Sequence, residues 1–181
     1  PLMTGFQLHG AYAAGTVVVA LGIVTLTGGT FPTWAANAQL VIEGVAYDVN
    51  TRDSGTQLTL NDLTVSIAST AYSLEETTLT LPDNYGSFHG DLYLEQQADG
   101  RAWAQELKRV DITQILQQRQ ISRYTSRPVW YAVHAIPPTG TAFQNSYITV
   151  YPAPDGDYKL VGEMTINPDA LTSAANFPLG G

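Results

Sequence analysis

The side chains able to move protons, hold metals or attack a carbonyl are few in this chain. Its 181 residues contain three histidines, sixteen carboxylates and no cysteine. His9, His89 and His134 are scattered, and none has a second histidine or a carboxylate at the short spacing that sets two ligands on one face of an element. Each reads as a surface or strand residue, and no metal centre is expected. The Asp155-Gly156-Asp157 run invites a calcium reading, but the loop pattern fails where Lys159 takes the fifth position and Ile166 the twelfth. A Gly-x-Ser-x-Gly elbow, a Walker loop and a Gly-x-Gly-x-x-Gly turn are missing from the sequence, and with them the usual marks of nucleophilic hydrolysis and nucleotide binding. Glu75, Glu76 and Asp53 have no visible partner and default to solvated charges. The expectation is a protein that binds and packs, without catalytic residues and without a cofactor.

Groups suited to binding are more plentiful. Trp34, Trp103 and Trp130, with ten tyrosines, have the flat faces that stack on sugars, and equally the bulk that fills cores and interfaces. Net charge is −8 but uneven: residues 1–100 hold ten acids and one base, while six of the eight bases sit in residues 101–130. A dense basic patch on a basic background is the footprint of nucleic-acid binding, and here the overall field repels phosphate. The basic residues Arg101, Lys108, Arg109, Arg119, Arg123 and Arg127 are therefore expected to meet acidic groups on a neighbouring subunit. The candidate interface set is Arg109, Arg119, Arg123, Arg127, Trp34, Trp103, Trp130 and Tyr131. Reversing Arg119 and Arg123 to Glu is expected to block assembly and leave the monomer folded.

Elements that would position these residues are mostly strands. Only 13% of residues are charged, whereas Gly, Thr, Tyr and Pro abound, a composition suited to turns and half-buried strands. With 44% hydrophobic residues the chain can bury a core, and without cysteine it has no disulfide or thiolate metal staple. Residues 11–26 form an apolar run, but one shorter than a spanning helix, rich in Val and Thr, broken by Gly15 and Gly22, and preceded by no basic region. Two strands around a turn are expected there, and no membrane segment. Strands are expected at 16–19, 23–26, 39–42, 45–51, 57–60 and 70–74, a set short enough to favour a small SH3-like barrel over a broad sandwich.

A connector at 75–89 then leads to a second module. It holds a strand at 91–95, a helix over about 111–121 capped by Asp111 with Gln114 as the reaching partner, and strands at 130–136, 147–151 and 158–166. Pro152, Pro154, Asp155 and Gly156 mark a hairpin turn, with Asp-Gly supplying a left-handed position. Residues 167–181 read as an irregular arm. The fold class is thus mainly β: a small barrel at 1–74, and at 75–181 a second β module with one short helix. The chain opens on Pro1 and closes on Leu179-Gly180-Gly181, as a segment of a longer protein would.

Two stretches carry a family resemblance. Ala14-Gly15-Thr16-Val17-Val18-Val19, Val24-Thr25-Leu26-Thr27-Gly28-Gly29-Thr30, Trp34, Val45-Ala46-Tyr47-Asp48-Val49 and Thr56-Gln57-Leu58-Thr59-Leu60, in that order, resemble the small β-module of tailed-bacteriophage adaptor (head–tail connector, or neck) proteins. Arg127-Pro128-Val129-Trp130-Tyr131-Ala132-Val133, with Val150-Tyr151-Pro152-Ala153-Pro154-Asp155-Gly156-Asp157-Tyr158-Lys159-Leu160, is similar to the second core of the same family. Phe177-Pro178-Leu179-Gly180 resembles its exit segment. The resemblance implies a structural virion protein, assembled in the host cytoplasm as a homo-oligomeric ring of about twelve copies. Such a ring binds the portal protein and the tail or nozzle proteins, and the genome passes its lumen without sequence-specific contact. The competing expectation is a carbohydrate- or receptor-binding β-module of a fibre or secreted protein.

Overall fold

Residues 2–96, 104–136 and 145–167 are described by the structure, a computed structural model of the chain. The chain begins with β1 (Leu2–Leu8) and then makes the hairpin of β2 (Thr16–Ala20) and β3 (Ile23–Thr27). A 3-10 turn, Thr33–Asn37, leads into β4 (Gln39–Ile42), β5 (Val45–Arg52), β6 (Gln57–Leu60), β7 (Ile67–Thr70) and β8 (Ser73–Glu75). Both β2 and β3 alternate exposed and buried residues, the period of two that puts Val17, Val19, Val24 and Leu26 inside. The turns of two hairpins each use two residues of positive φ: Leu21 (51°) and Gly22 (74°) between β2 and β3, Glu43 (52°) and Gly44 (81°) between β4 and β5. That pairing matches the right-handed twist of the flanking strands.

These strands form one seven-stranded sheet in the order β7-β2-β3-β6-β5-β4-β8. Its two edges, β7 and β8, are separated along the chain by Ala71 and Tyr72 alone, so the sheet curls nearly shut into a barrel around Leu40, Leu58, Leu60, Leu74 and Phe31. The single strand expected at 70–74 is broken at that point, because Tyr72 turns into the core and donates its hydroxyl to the carbonyl of Ala14 at 2.9 Å.

The remaining strands are β9 (Thr78–Thr80), β10 (Tyr85–Gln96), β11 (Ala104–Arg109), β12 (Trp130–Ile136), β13 (Asn145–Tyr151) and β14 (Tyr158–Ile166). With β1 they make a second curled sheet in the order β1-β14-β10-β11-β12-β13-β9. The one helix among the described residues, α1 (Ile112–Ile121), starts where the Asp111 carboxylate accepts from the Thr113 N–H and hydroxyl. It buries Ile115 against Ala132 and Tyr151 on the outer face of this sheet.

Three further features of the strand pairing differ from the sequence reading. β1 pairs with β14 from Leu2↔Met164 to Leu8↔Tyr158, so residues 2–8 belong to the second sheet and not to the barrel. Next, 152–157 is not a hairpin: β13 and β14 are not neighbours in the sheet, and Gly156 is not among the left-handed residues. The segment is a crossover, with a cis Tyr151–Pro152 bond, buried at Pro152, Ala153 and Pro154. Ala11 N–H, far away in sequence, donates to the Pro154 carbonyl, and the nearby Tyr158 hydroxyl donates to Asp155 Oδ1. Lastly, β8 runs through Glu76 and Thr77 into β9, so that one stretch, 73–80, pairs with β4 at its start and β13 at its end. Of the expected arm at 167–181, all but Asn167 lies outside the described residues.

Candidate functional site at the seam between the sheets

Where the 73–80 stretch changes sheets it carries two adjacent carboxylates into the interior. Glu75 and Glu76 are each 4% exposed, which corrects the expectation that they are solvated. Burying an ion is tolerated only when partners replace water. Glu76 has His9, from the loop after β1: the His9 backbone N–H donates to Glu76 Oε2 at 3.0 Å, and the ring Nδ1 lies 2.6 Å from that oxygen. The ring stacks on Trp34 with centroids 5.4 Å apart and planes 11° from parallel. Burial pushes the Glu76 carboxyl above its ordinary range, and the bonds from His9 pull it part of the way back.

Glu75 faces the other side, where the end of α1 supplies arginines. Arg123 Nε lies 3.9 Å from Glu75 Oε2, and its Nη2 donates to Gln39 Oε1 at 2.8 Å. Arg119 donates from Nη2 to the Val150 carbonyl at 3.0 Å. Burial, then the nearby Arg123 charge, pushes the Arg119 guanidinium down to about 10, which keeps it charged at neutral pH. Burial also raises the Glu75 carboxyl, with Arg123 opposing. Glu75, Arg119, Arg123, Tyr124 and Tyr151 surround a void of about 10 Å³, room for roughly one water. The Tyr151 hydroxyl donates to the Ser122 carbonyl and ties the end of α1 to β13.

Each partner of the carboxylate pair comes from a different element, and the arrangement fastens those elements to the strand that joins the sheets. Among the described residues no three histidine or carboxylate groups gather where they could hold a metal ion. No protein-family model matches the chain, and neither a curated protein nor a solved structure matches it.

The candidate interface residues are only partly brought together. Arg119 and Arg123 are drawn inward by Val150, Gln39 and Glu75, so reversing them to Glu would strike the fold itself and not a free surface. Tyr131 is 1% exposed inside the second sheet's core, and Trp130 packs with Tyr151 over Ile115. Trp34 covers the barrel core and His9. Arg109 is exposed on β11, and Arg127 reaches Gln105 Oε1 at 3.4 Å. Trp103 lies outside the described residues. The seam was missed in the sequence because His9 and Glu76 are 67 positions apart; the two adjacent glutamates in an otherwise uncharged stretch were its single trace.

A second region has the opposite character. The first 42 residues contain no Asp, Glu, Lys or Arg. The outward side of β2 and β3 therefore presents Thr16, Val18 and Ala20 beside Ile23, Thr25 and Thr27, all exposed and all uncharged. At its tip Leu21 is 69% exposed and holds a left-handed φ that costs a branched side chain about 1–2 kcal/mol. The loop at 61–66 packs beside the tip, with the Val65 carbonyl accepting from the Gly22 N–H, and adds the exposed Leu63.

Proposed function

We propose that this chain is a structural β-subunit that assembles side by side with copies of itself, as an adaptor ring of a tailed phage that joins portal to tail and surrounds the DNA passage. The observation that carries the reading is the uncharged, apolar-tipped face of the β2–β3 hairpin. Copies of a chain with net charge −8 repel one another, and contact costs least where neither copy carries a charge. Val18, Leu21, Ile23 and Leu63 stay in water on the isolated chain, and a contiguous exposed apolar patch is the mark of an interaction surface. The strain at Leu21 favours the same reading, since Asn or Gly would fit that backbone better and the leucine is useful only if something covers it.

The interface is thus assigned to the neutral hairpin face in place of the basic stretch, whose two best-placed arginines are occupied within the chain. Carboxylates exposed elsewhere, Asp48, Asp62 and Asp91 among them, would repel phosphate along a lumen and let the genome slide without sequence-specific contact. The test is the mass of the native assembly, by light scattering or native mass spectrometry, for the full-length chain alone and mixed with portal protein. A closed ring is expected, and Ile23→Lys with Leu21→Asn should return it to monomers that remain folded. A wild-type chain that stays monomeric in both mixtures would overturn the proposal.

A further inference from the structure

Beside the seam, on the outer face of the second sheet, lies an open cleft of about 430 Å³, within the size range of small-molecule sites. Its floor is set by strand register. His134 on β12 is opposite Tyr147 on β13, which is opposite Thr80 on β9, so the three side chains share one face. Next to them Ala132↔Thr149↔Thr78 continues the row. The rings of His134 and Tyr147 stack at 5.8 Å and 23°. His134 Nε2 lies 2.9 Å from the Thr149 hydroxyl, which is itself 3.0 Å from that of Thr78. Burial, then the Arg119 charge, lowers the His134 pKa and keeps the ring neutral. The facing wall comes from the barrel: Gln39 donates to Asp48 Oδ1 at 2.8 Å, and Asn61 stands beside them.

We infer that this cleft binds a neutral polyhydroxylated ligand, a hexose unit or a short run of them, against Tyr147 and between the hydroxyls of the floor and the Asp48 and Asn61 side chains of the wall. Other ligand classes fit the lining less well. An anion would meet Asp48 with no lysine or arginine among the described lining residues. A divalent cation needs several oxygen ligands and would find one carboxylate. An apolar ligand would cover the polar groups of Thr80, Asn61 and Asp48 without offering them a hydrogen bond. A sugar needs donors and acceptors in alternation together with a flat ring for its C–H face, and Thr78, Thr80, Asn61, Asp48 and Tyr147 supply both. The inference goes beyond the assembly reading and does not rest on it.

Saturation-transfer NMR on the full-length chain tests it, with the methyl glycosides of glucose, galactose and mannose, methyl N-acetylglucosaminide, and glucuronate as a charged control. Transfer to at least one neutral glycoside is expected, with affinity reduced about tenfold by Tyr147→Ala and several-fold by Asp48→Ala. Asn61→Ala, at an exposed position, carries the test if the tyrosine variant does not fold. Transfer to none of the neutral sugars, to glucuronate alone, or surviving all three substitutions would overturn the inference. The native mass recorded on the same samples reports assembly separately, so either reading can fail while the other stands.

Discussion

The seam and the hairpin face break the usual distribution of side chains in opposite directions. At the seam, carboxylates and guanidinium groups lie inside, and each has a partner from another element: Glu76 with His9, Glu75 with Arg123, Arg119 with Val150. On the hairpin face, apolar side chains lie outside, and no described residue covers them. Buried charge that is satisfied within the chain holds the chain together. Exposed apolar surface left uncovered is the part available to something else. Charge alone is therefore a poor guide to which groups are free, since Arg119 and Arg123 of the most basic stretch are engaged within the chain.

The largest effect that would test this contrast is at the seam. Arg119→Glu sets a third carboxylate beside Glu75 and should cost about 3–5 kcal/mol, seen as a fall of roughly 10 °C in the thermal midpoint. A drop no larger than that of Arg109→Glu, at an exposed position, would remove the distinction between internal and free arginines. Glu76→Ala leaves the His9 N–H without its acceptor and should cost about 2 kcal/mol, measured by urea unfolding, with Glu76→Gln recovering part of the loss.

On the hairpin face the sign reverses. Leu21→Asn relieves the left-handed strain and should raise stability by about 0.5–1 kcal/mol while weakening assembly, and loss of stability with intact assembly would contradict the assigned roles.

The smallest effect is the pH dependence, where two terms oppose each other. Glu75 and Glu76 are raised above 4.5 by burial, so the folded chain holds their protons more tightly than the unfolded one. Their contribution is fully present below 4.5 and is lost as pH rises through their folded values. His134 is lowered from 6.5, so its contribution is present above 6.5 and is lost as pH falls through its folded value. Urea midpoints followed from neutral pH to about pH 5 should therefore fall more steeply in Glu75→Gln/Glu76→Gln than in wild type, and less steeply in His134→Gln.

The fold was legible wherever information is local. β2 and β3 read directly as short β-branched runs around a turn, β14 from the alternation of Tyr158, Leu160 and Met164, and Asp111 caps the helix where its type and position say it should. β9 and β11 were not anticipated: Thr78–Thr80 is too short to show a period, and β11 (Ala104–Arg109) mixes charge with a single buried leucine, Leu107. The crossover at 152–157 was misread because Pro-Asp-Gly chemistry also makes hairpins, and only tertiary pairing decides which strand follows. For the seam and the cleft, no window of sequence contains both His9 and Glu76, or both Asp48 and Tyr147. The uncharged run through residue 42 was in plain view, but its outward half became a surface only once the barrel core took Val17, Val19, Val24 and Leu26.

The pairing of β1 with β14 has a consequence for how the molecule is made. On the ribosome the barrel has all its strands once residue 75 has emerged, and it can close early through contacts near in sequence. The second sheet must keep residues 2–8 waiting until 158–164 are translated, since β14 is the strand that joins β1 to β10. Synthesis thus yields the barrel early, and the second sheet is sealed only when residues 158–164 reach residues 2–8.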